Sequence, residues 1–485
     1  MDVQGKRKAG ACRLGGGKRR AVAVVEVEER DWTSLHGDIA NHIAERLLAG
    51  DGGVKDYMAF RAVCSHWRAS TDTPWDPTLA DPRFRPRDWI PICENIGLRP
   101  ADAGWIAYLH AATGKVRRGM LPEAVRGHRI VGFTDGLVVL LDTRTAAIRV
   151  VHPFTRVTVH LPTLAIFFHT VLRLHPSFSM DSFIWMNAFV CAAAGRPASI
   201  AVVITFPDMP LVITAQPGSK SWSMVHTDLN LSTTLPFNGR LYGMTQGNNQ
   251  LVQVYPGTNN PASPAAAAAI IVAQVPNGIS DRPSNCVYYL VETMASMLLV
   301  VLHKNANNSA TGFTLLAVDL CRGKLTPVTG LGGDKALFLG HDRCVSVSSK
   351  NLPSIVGNTI HFAMPGRNPV TEYSFDDSLF KKPATLSQLH NGVRPIRWPV
   401  RPYTLADHLI TYCHHREWTR GLMFHEFYYV PVSYSKLREI IAAQDSKVVV
   451  PELIERNGEL TVMEPVELSP KATPLLAIPL SYLNR

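Results

Sequence analysis

"RIVGFTDGLVVLLDTRTAAIRVVHPFTRVTVHLP" (Arg129–Pro162) decides the fold. Apolar, β-branched runs of strand length are separated by turn formers at Thr134–Gly136, Asp142–Thr145 and Pro153–Thr155. The stretch therefore reads as four short strands joined by tight turns, one blade-like meander.

Working outward, the same texture recurs. "IAVVITFPDMPLVITAQPGSKSWSMV" (200–225), "NGRLYGMTQGNNQLVQVYP" (238–256), "NCVYYLVETMASMLLVVLHK" (285–304) and "GFTLLAVDLCRGKLTPVTGLGGDKALFLG" (312–340) each read as strand–turn–strand units. "VGNTIHFAMP" (356–365) with "VTEYSFD" (370–376) reads as another, and "AAIIVAQV" (268–275) completes a strand after a Pro/Ala/Asn-rich loop. The units recur every 45–60 residues, roughly the period of propeller repeats. Radial repetition of small meanders avoids long open sheet edges, so a β-propeller is expected; a large β-sandwich is the competing arrangement.

With 485 residues, 46% hydrophobic and 18% charged, the chain is globular and long enough for two or three domains. No run of eighteen apolar residues occurs, so no membrane span or membrane partner is expected. The eight cysteines, at 12, 64, 93, 191, 286, 321, 344 and 413, form no CxxC pair. That argues against a zinc framework and a disulfide scaffold, and for reduced thiols inside a cell. The net charge is +10, but residues 1–20 hold seven Lys/Arg against one Asp, leaving +4 for the rest. A general nucleic-acid surface is not implied. Within the tail, Lys6–Arg7 and Lys18–Arg19–Arg20 are separated by ten residues, a spacing that resembles a bipartite nuclear localisation signal; a solvated tail is the plain alternative.

Residues 31–70, "DWTSLHGDIANHIAERLLAGDGGVKDYMAFRAVCSHWRAS", carry helical periodicity instead. A first helix is expected from Gly37–Asp38 to about Leu48, with Ile39, Ile43 and Leu47 in one row and Ala40, Ala44 and Leu48 widening it. A second is expected with Asp56 as N-cap, placing Phe60, Val63, Cys64 and Trp67 on one face, with a bend at Cys64–Ser65. A module of about 40 residues cannot absorb that much apolar surface alone, so the excess belongs on the rest of the chain or on another protein.

"LHGDIANHIAERLL" followed by "FRAVCSHWR" resembles an F-box over about residues 31–70. The family's Leu-Pro entry is Leu35-His36 here. The resemblance implies binding to a Skp-type adaptor and, through it, a cullin. Carried over by position, Leu35, Ile39, Ile43, Leu47 and Val63 would face or support the adaptor, while Phe60, Cys64 and Trp67 would form the module's core. Residues 100–375 likewise resemble the kelch-like, KIB-type propeller that follows many plant F-boxes. The carrying residues are "DGLVVLLDTRTAAIRVVHPFTRVTVHLP", "FNGRLYGMT", "CVYYLVET" and "LGGDKALFLG"; at Lys324-Leu325 the family's usual tryptophan is missing.

Catalytic signatures are scarce. There is no GxSxG, HExxH or P-loop, and "GLGGD" (330–334) reads as a loop between blades. Cys413, His414, His415, His425 and Glu426 gather in sequence, but adjacent helical histidines point about 100° apart, which disfavours a shared metal. No metal or cofactor is expected.

The expected fold class is α+β multidomain: a small three-helix F-box followed by an all-β propeller-like domain with C-terminal helical additions. The expected segments are a basic tail (1–30), the helical module (31–72), a linker (73–99), the propeller (100–375), and a C-terminal extension (376–485) that carries helices and completes the propeller. In that extension "TLADHLITYCHH" and "SYSKLREIIAAQD" show helical spacing. The expected role is the substrate-recognition subunit of a Skp–cullin–F-box ubiquitin ligase, non-catalytic, in nucleus or cytoplasm, holding an unidentified protein target. An adaptor-independent scaffold and a propeller enzyme acting on a small molecule are the alternatives.

Overall fold

The computed structural model describes residues 31–92, 105–120, 128–142, 145–174, 186–194, 199–207, 209–256, 269–276, 278–279, 285–293, 296–364, 367–381, 405–414, 427–432 and 462–467. The basic tail, with Lys6, Arg7, Lys18, Arg19 and Arg20, lies outside them, as do His415, His425, Glu426 and "SYSKLREIIAAQD".

Three helices open the described chain: α1 (Gly37–Ala49), α2 (Gly53–Ala62) and α3 (Ser65–Ala69). Val63 caps the end of the second and Cys64 the start of the third, the Cys64 Sγ accepting from the Trp67 N–H at 3.4 Å, so the bend falls where the sequence places it. The start of α2 differs. Gly52, not Asp56, is its N-cap; Asp56 sits inside the helix with its carboxylate folded back over Gly52, where a Cβ would collide with it.

Six sheets follow. The first comprises β1 (Trp89–Ile92), β2 (Trp105–His110) and β3 (Val116–Met120), so the expected linker already contains a strand. The second is β4 (His128–Thr134), β5 (Leu137–Asp142), β6 (Ala147–Val151) and β7 (Thr158–Thr163), the meander read from residues 129–162. Its first hairpin turns on Asp135 and Gly136, at φ 51° and 76°. Positive φ at both central residues marks a turn whose twist matches the strands. The short helix α4 (Ala165–Leu174) comes next; the sequence reading missed it.

The third sheet holds β8 (Asn187–Ala192), β9 (Ile200–Phe206), β10 (Met209–Ala215) and β11 (Ser223–His226). The fourth holds β12 (Leu231–Phe237), β13 (Arg240–Thr245), β14 (Gln250–Tyr255) and β15 (Ile270–Gln274). The fifth holds β16 (Cys286–Thr293), β17 (Ser296–Lys304), β18 (Ala310–Asp319) and β19 (Lys324–Val328). The sixth combines β20 (Lys335–Leu339), β21 (Cys344–Ser348), β22 (Thr359–Met364), β23 (Arg367–Ser374) and β24 (Leu379–Lys381). The stretch 312–340 is therefore not one unit: β18 and β19 finish one sheet and β20 opens the next. In that last sheet β20 pairs parallel with β22 and antiparallel with β21, which lies at the sheet edge beside β16.

Adjacent sheets share apolar cores, and the cores run in a circle. β4–β7 and β8–β11 share one, with α4. β8–β11 and β12–β15 share another, as do β12–β15 with β16–β19 and β16–β19 with β20–β24. The fifth lies between β20–β24 and β1–β3, and the sixth returns from β1–β3 to β4–β7. Two stacked sheets would share a single core, so this is a six-bladed propeller and not a sandwich.

Helix α5 (Leu405–Cys413) completes the closure. Leu409, Ile410 and Cys413 are buried between Ile90 and Leu109 of the first sheet and Phe338 of the last. The Cys413 carbonyl accepts from the N–H groups of Asp342 and Arg343 at 3.2 and 3.3 Å. The Arg343 guanidinium lies 4.7 Å from the Phe133 ring and 4.8 Å from the Tyr412 ring, and donates to the Phe133 carbonyl at 3.2 Å. One side chain thus ties the last blade, the closing helix and the β4 blade together. Further on, β25 (Phe427–Val432) and β26 (Val462–Glu467) pair antiparallel; the extension contains strands as well as a helix.

Candidate docking face on the N-terminal helices

The helices have two apolar sides. One is fully committed within the chain. Ala40 and Ala44 of α1 and Val54, Tyr57 and Phe60 of α2 are buried in a single core with Phe84, Trp89, Ile106, Tyr108, Phe133 and Phe154. Small residues at Ala40 and Ala44 let α1 approach its neighbours closely. Tyr57 also donates its hydroxyl to the Asp72 carbonyl at 2.8 Å, and the buried Arg61 guanidinium holds Thr71 and Asp72. These bonds fix the chain as it leaves α3 towards the propeller.

The other side is open. Trp32, Ile39 and Val63 are 60%, 51% and 61% exposed, in a module where apolar residues of that size normally find cover. Beneath them lies a rigid support. Trp67 stacks on Phe60, ring centroids 4.4 Å apart and 17° from parallel. Its indole N–H donates to the Trp32 carbonyl at 3.0 Å, and a His66 ring nitrogen lies 2.7 Å from the Leu35 carbonyl. The short turn Trp32–Ser34 is thereby pinned to α3, with Asp31 capping it through the Thr33 N–H at 2.9 Å.

The residues singled out for adaptor contact divide into two groups. Ile39 and Val63 project outward, while Leu35, Ile43 and Leu47 are half-buried against the module's own core. Of the expected core residues, Phe60 is buried and Cys64 and Trp67 are half-buried. Trp32 was missed, because it precedes the helical periodicity that drew attention to the rest; its neighbourhood to "LHGD" was the available signal. Arg83 was missed as well. It pairs with Glu45, Asp72 and Asp81 at 3.3, 3.1 and 2.7 Å, clamping α1 to the segment that leads into the propeller.

His36, where a proline was expected, has φ −53° and ψ 137°, which proline itself would adopt. Its Nδ1 accepts from the Asp38 N–H at 3.4 Å, capping α1. The entry to the helix is therefore set without proline.

At the β4–β5 turn, Asp135 receives Arg85 at 3.0 Å and Arg87 at 3.6 Å, and a Cβ at Gly136 would overlap the Pro86 carbonyl. The segment 85–87 is thus strapped over the β4–β5 hairpin. Glu292, at the end of β16, shares this electrostatic environment; burial, with Asp135 and Asp88 adding repulsion against the pull of Arg87, pushes its carboxyl up to about 7. Of the expected metal-type set, Cys413 is committed to the core, its thiol directed to the Phe338 carbonyl at 3.4 Å, and His414 packs edge-on against His341 at 5.3 Å.

Fold and face together define a six-bladed propeller carrying a helical module with one uncovered apolar side, an arrangement compatible with an F-box-like region. The chain belongs to the KIB1-4 beta-propeller family, whose model matches residues 108–387, more than half of its length. No curated protein matches it. The family assignment points to a protein-interaction domain.

Proposed function

We propose that this protein is the substrate-recognition subunit of a Skp–cullin–F-box ubiquitin ligase. Helices α1–α3 dock a Skp-type adaptor and the propeller holds a protein target. No residue of the chain performs covalent chemistry. It acts by proximity, raising the effective concentration of a target lysine beside the ubiquitin carrier. It works in the nucleus or cytoplasm, with the basic tail as the nuclear signal.

One observation carries the proposal: Ile39, Val63 and Trp32 stay exposed although the same helices already bury a full apolar face on the propeller. A helical subdomain serving only to pack in cis has no use for a second such face. Exposed aromatic and aliphatic anchors on a rigid support are what a partner's pocket recognises. The shared core also holds the two binding regions in one body, so the target is presented at a fixed distance from the adaptor.

The test is affinity recovery from cells in which degradation is blocked, comparing the wild-type chain with Ile39→Asp/Val63→Asp. The proposal expects adaptor and cullin to disappear from the variant's partners while propeller-bound proteins remain. Equal recovery of adaptor would favour an adaptor-independent scaffold.

A further inference from the structure

Among the described residues six cysteines are free thiols, and the surroundings of their sulfurs differ. Burial holds the thiols of Cys191, Cys344 and Cys413 above the ordinary value, which leaves them unreactive. Cys64 caps α3, and Cys321 is exposed on the turn between β18 and β19. Cys286, half-buried at the start of β16, has an imidazole against it: its Sγ lies 3.6 Å from His303 Nδ1.

Strand pairing sets this arrangement. Cys286 and His303 stand directly opposite each other where β16 meets β17. Across the next pairing, Gly312 of β18 faces His303, and Thr314 stands two residues further along on the same side of the sheet. Gly312 has no side chain to block the ring, so the imidazole leans diagonally to Thr314, with Nε2 2.8 Å from Oγ1. Cys286, His303 and Thr314 thus form a row, and Cys286 packs at the margin of the core that β16–β19 share with β12–β15. All three are half-buried, so each keeps part of its surface open to solvent. A threonine hydroxyl that accepts the Nε2–H leaves Nδ1 with a bare lone pair facing the thiol. Burial also lowers the His303 pKa, so the ring is neutral and ready to take a proton at neutral pH.

We propose that Cys286 is a modification site, a thiol that exchanges with a low-molecular-weight disulfide of the glutathione type, with His303 as its base and Thr314 holding the ring. The thiol proton passes to His303 Nδ1 as the sulfur attacks one sulfur of the reagent. A new S–S bond forms to Cys286, the reagent's own S–S bond breaks, and the leaving thiolate takes the proton from the imidazolium. Cys286 is thereby oxidised to a mixed disulfide, and the other half of the reagent leaves reduced, as a thiol. A nucleophile, a base within reach of it and a third group orienting the base are the arrangement that activates weak nucleophiles. Accessibility alone would rank Cys321 ahead of Cys286; the imidazole reverses that order. The site lies on the fifth sheet, apart from the uncovered face of the helices, and does not depend on the ligase proposal.

The test is the rate of mixed-disulfide formation on the reduced full chain with oxidised glutathione at neutral pH, followed cysteine by cysteine by mass spectrometry of peptides. The proposal expects Cys286 to react at least about tenfold faster than Cys321. His303→Gln should bring Cys286 down to the rate of Cys321 or below, while Cys321 itself is unmoved. Thr314→Val should slow Cys286 and Thr314→Ser should restore it, a rescue that loss of packing alone would not give. If His303→Gln lowers the melting temperature, the two Thr314 variants decide the matter. Reaction of Cys286 no faster than that of Cys321, an unchanged Cys286 rate in His303→Gln, or equal rates in Thr314→Val and Thr314→Ser would overturn the proposal.

Discussion

The rings of Phe60 and Trp67 are stacked 4.4 Å apart, and they join the two sides of the helical module. Phe60 faces the core shared with the propeller; Trp67 braces the turn that holds Trp32 outward. Phe60→Ala should cost about 3–5 kcal/mol, the range for losing a buried aromatic ring. Because the core is common to helices and blades, the loss should lower the unfolding midpoint of the whole chain. A low-temperature transition confined to the helices, with the β-domain midpoint unmoved, would show that the module is independent.

His36→Pro should be tolerated. Both φ −53° at His36 and the extended ψ 130° of Leu35 suit proline and the residue before it. The restriction of the unfolded chain contributes about 0.4–1 kcal/mol, partly offset by the lost cap to Asp38. Denaturant melts should show a neutral or slightly stabilised protein. A loss above about 2 kcal/mol would mean the entry geometry is misassigned.

Gly340→Ala should release α5. A Cβ there would overlap the Cys413 carbonyl, which receives the Asp342 and Arg343 N–H groups. Cys413 is fully buried, and burial holds its thiol pKa well above the ordinary value. In the wild type it should resist thiol reagents, whereas in the variant labelling at Cys413, located by mass spectrometry, should rise steeply.

Two groups, the buried His361 and the half-buried Glu292, set opposing pH dependences. His361 lies flat on Phe338 at 4.5 Å, and burial pushes its pKa down to about 4. Between pH 4 and the unfolded value of 6.5 the unfolded chain binds more protons, so stability is full above 6.5 and falls as acid is added. The loss approaches roughly 3 kcal/mol by pH 4, and His361→Phe should remove it. Glu292 acts in reverse: with its carboxyl raised to about 7, the folded state binds more protons between 4.5 and 7, and stability declines as pH rises through that window. Glu292→Gln should therefore raise the melting temperature at pH 8 and leave it unchanged at pH 4.

The N-terminal helices and most blade strands were legible because their signals are local. The Asp135–Gly136 hairpin, the Cys64 bend and the Gly37 start each depend on a few neighbouring residues. Signals set by distant packing were not legible. β20 belongs with β22 because Leu337 and Phe338 enter cores on either side of the last blade, which nothing between 312 and 340 announces. β1 hides in a proline-rich approach, and the closing role of α5 depends on residues some three hundred positions away. For the docking face, the spacing named the apolar set but not its partition. Ala40 and Ala44 looked like filler in the stripe, yet they bring α1 against its neighbours and leave Ile39 outside.

The central claim is that the helices are covered on one side by the propeller and on the other by a foreign subunit. The most direct measurement is the dissociation constant of a purified Skp-type adaptor for the full chain, set against that of Ile39→Asp/Val63→Asp, with unfolding followed in parallel. The account predicts tight binding by the wild type, a loss of about a hundredfold or more in the variant, and an unchanged unfolding midpoint. No binding by the wild type, or equal affinity in the variant, would contradict it.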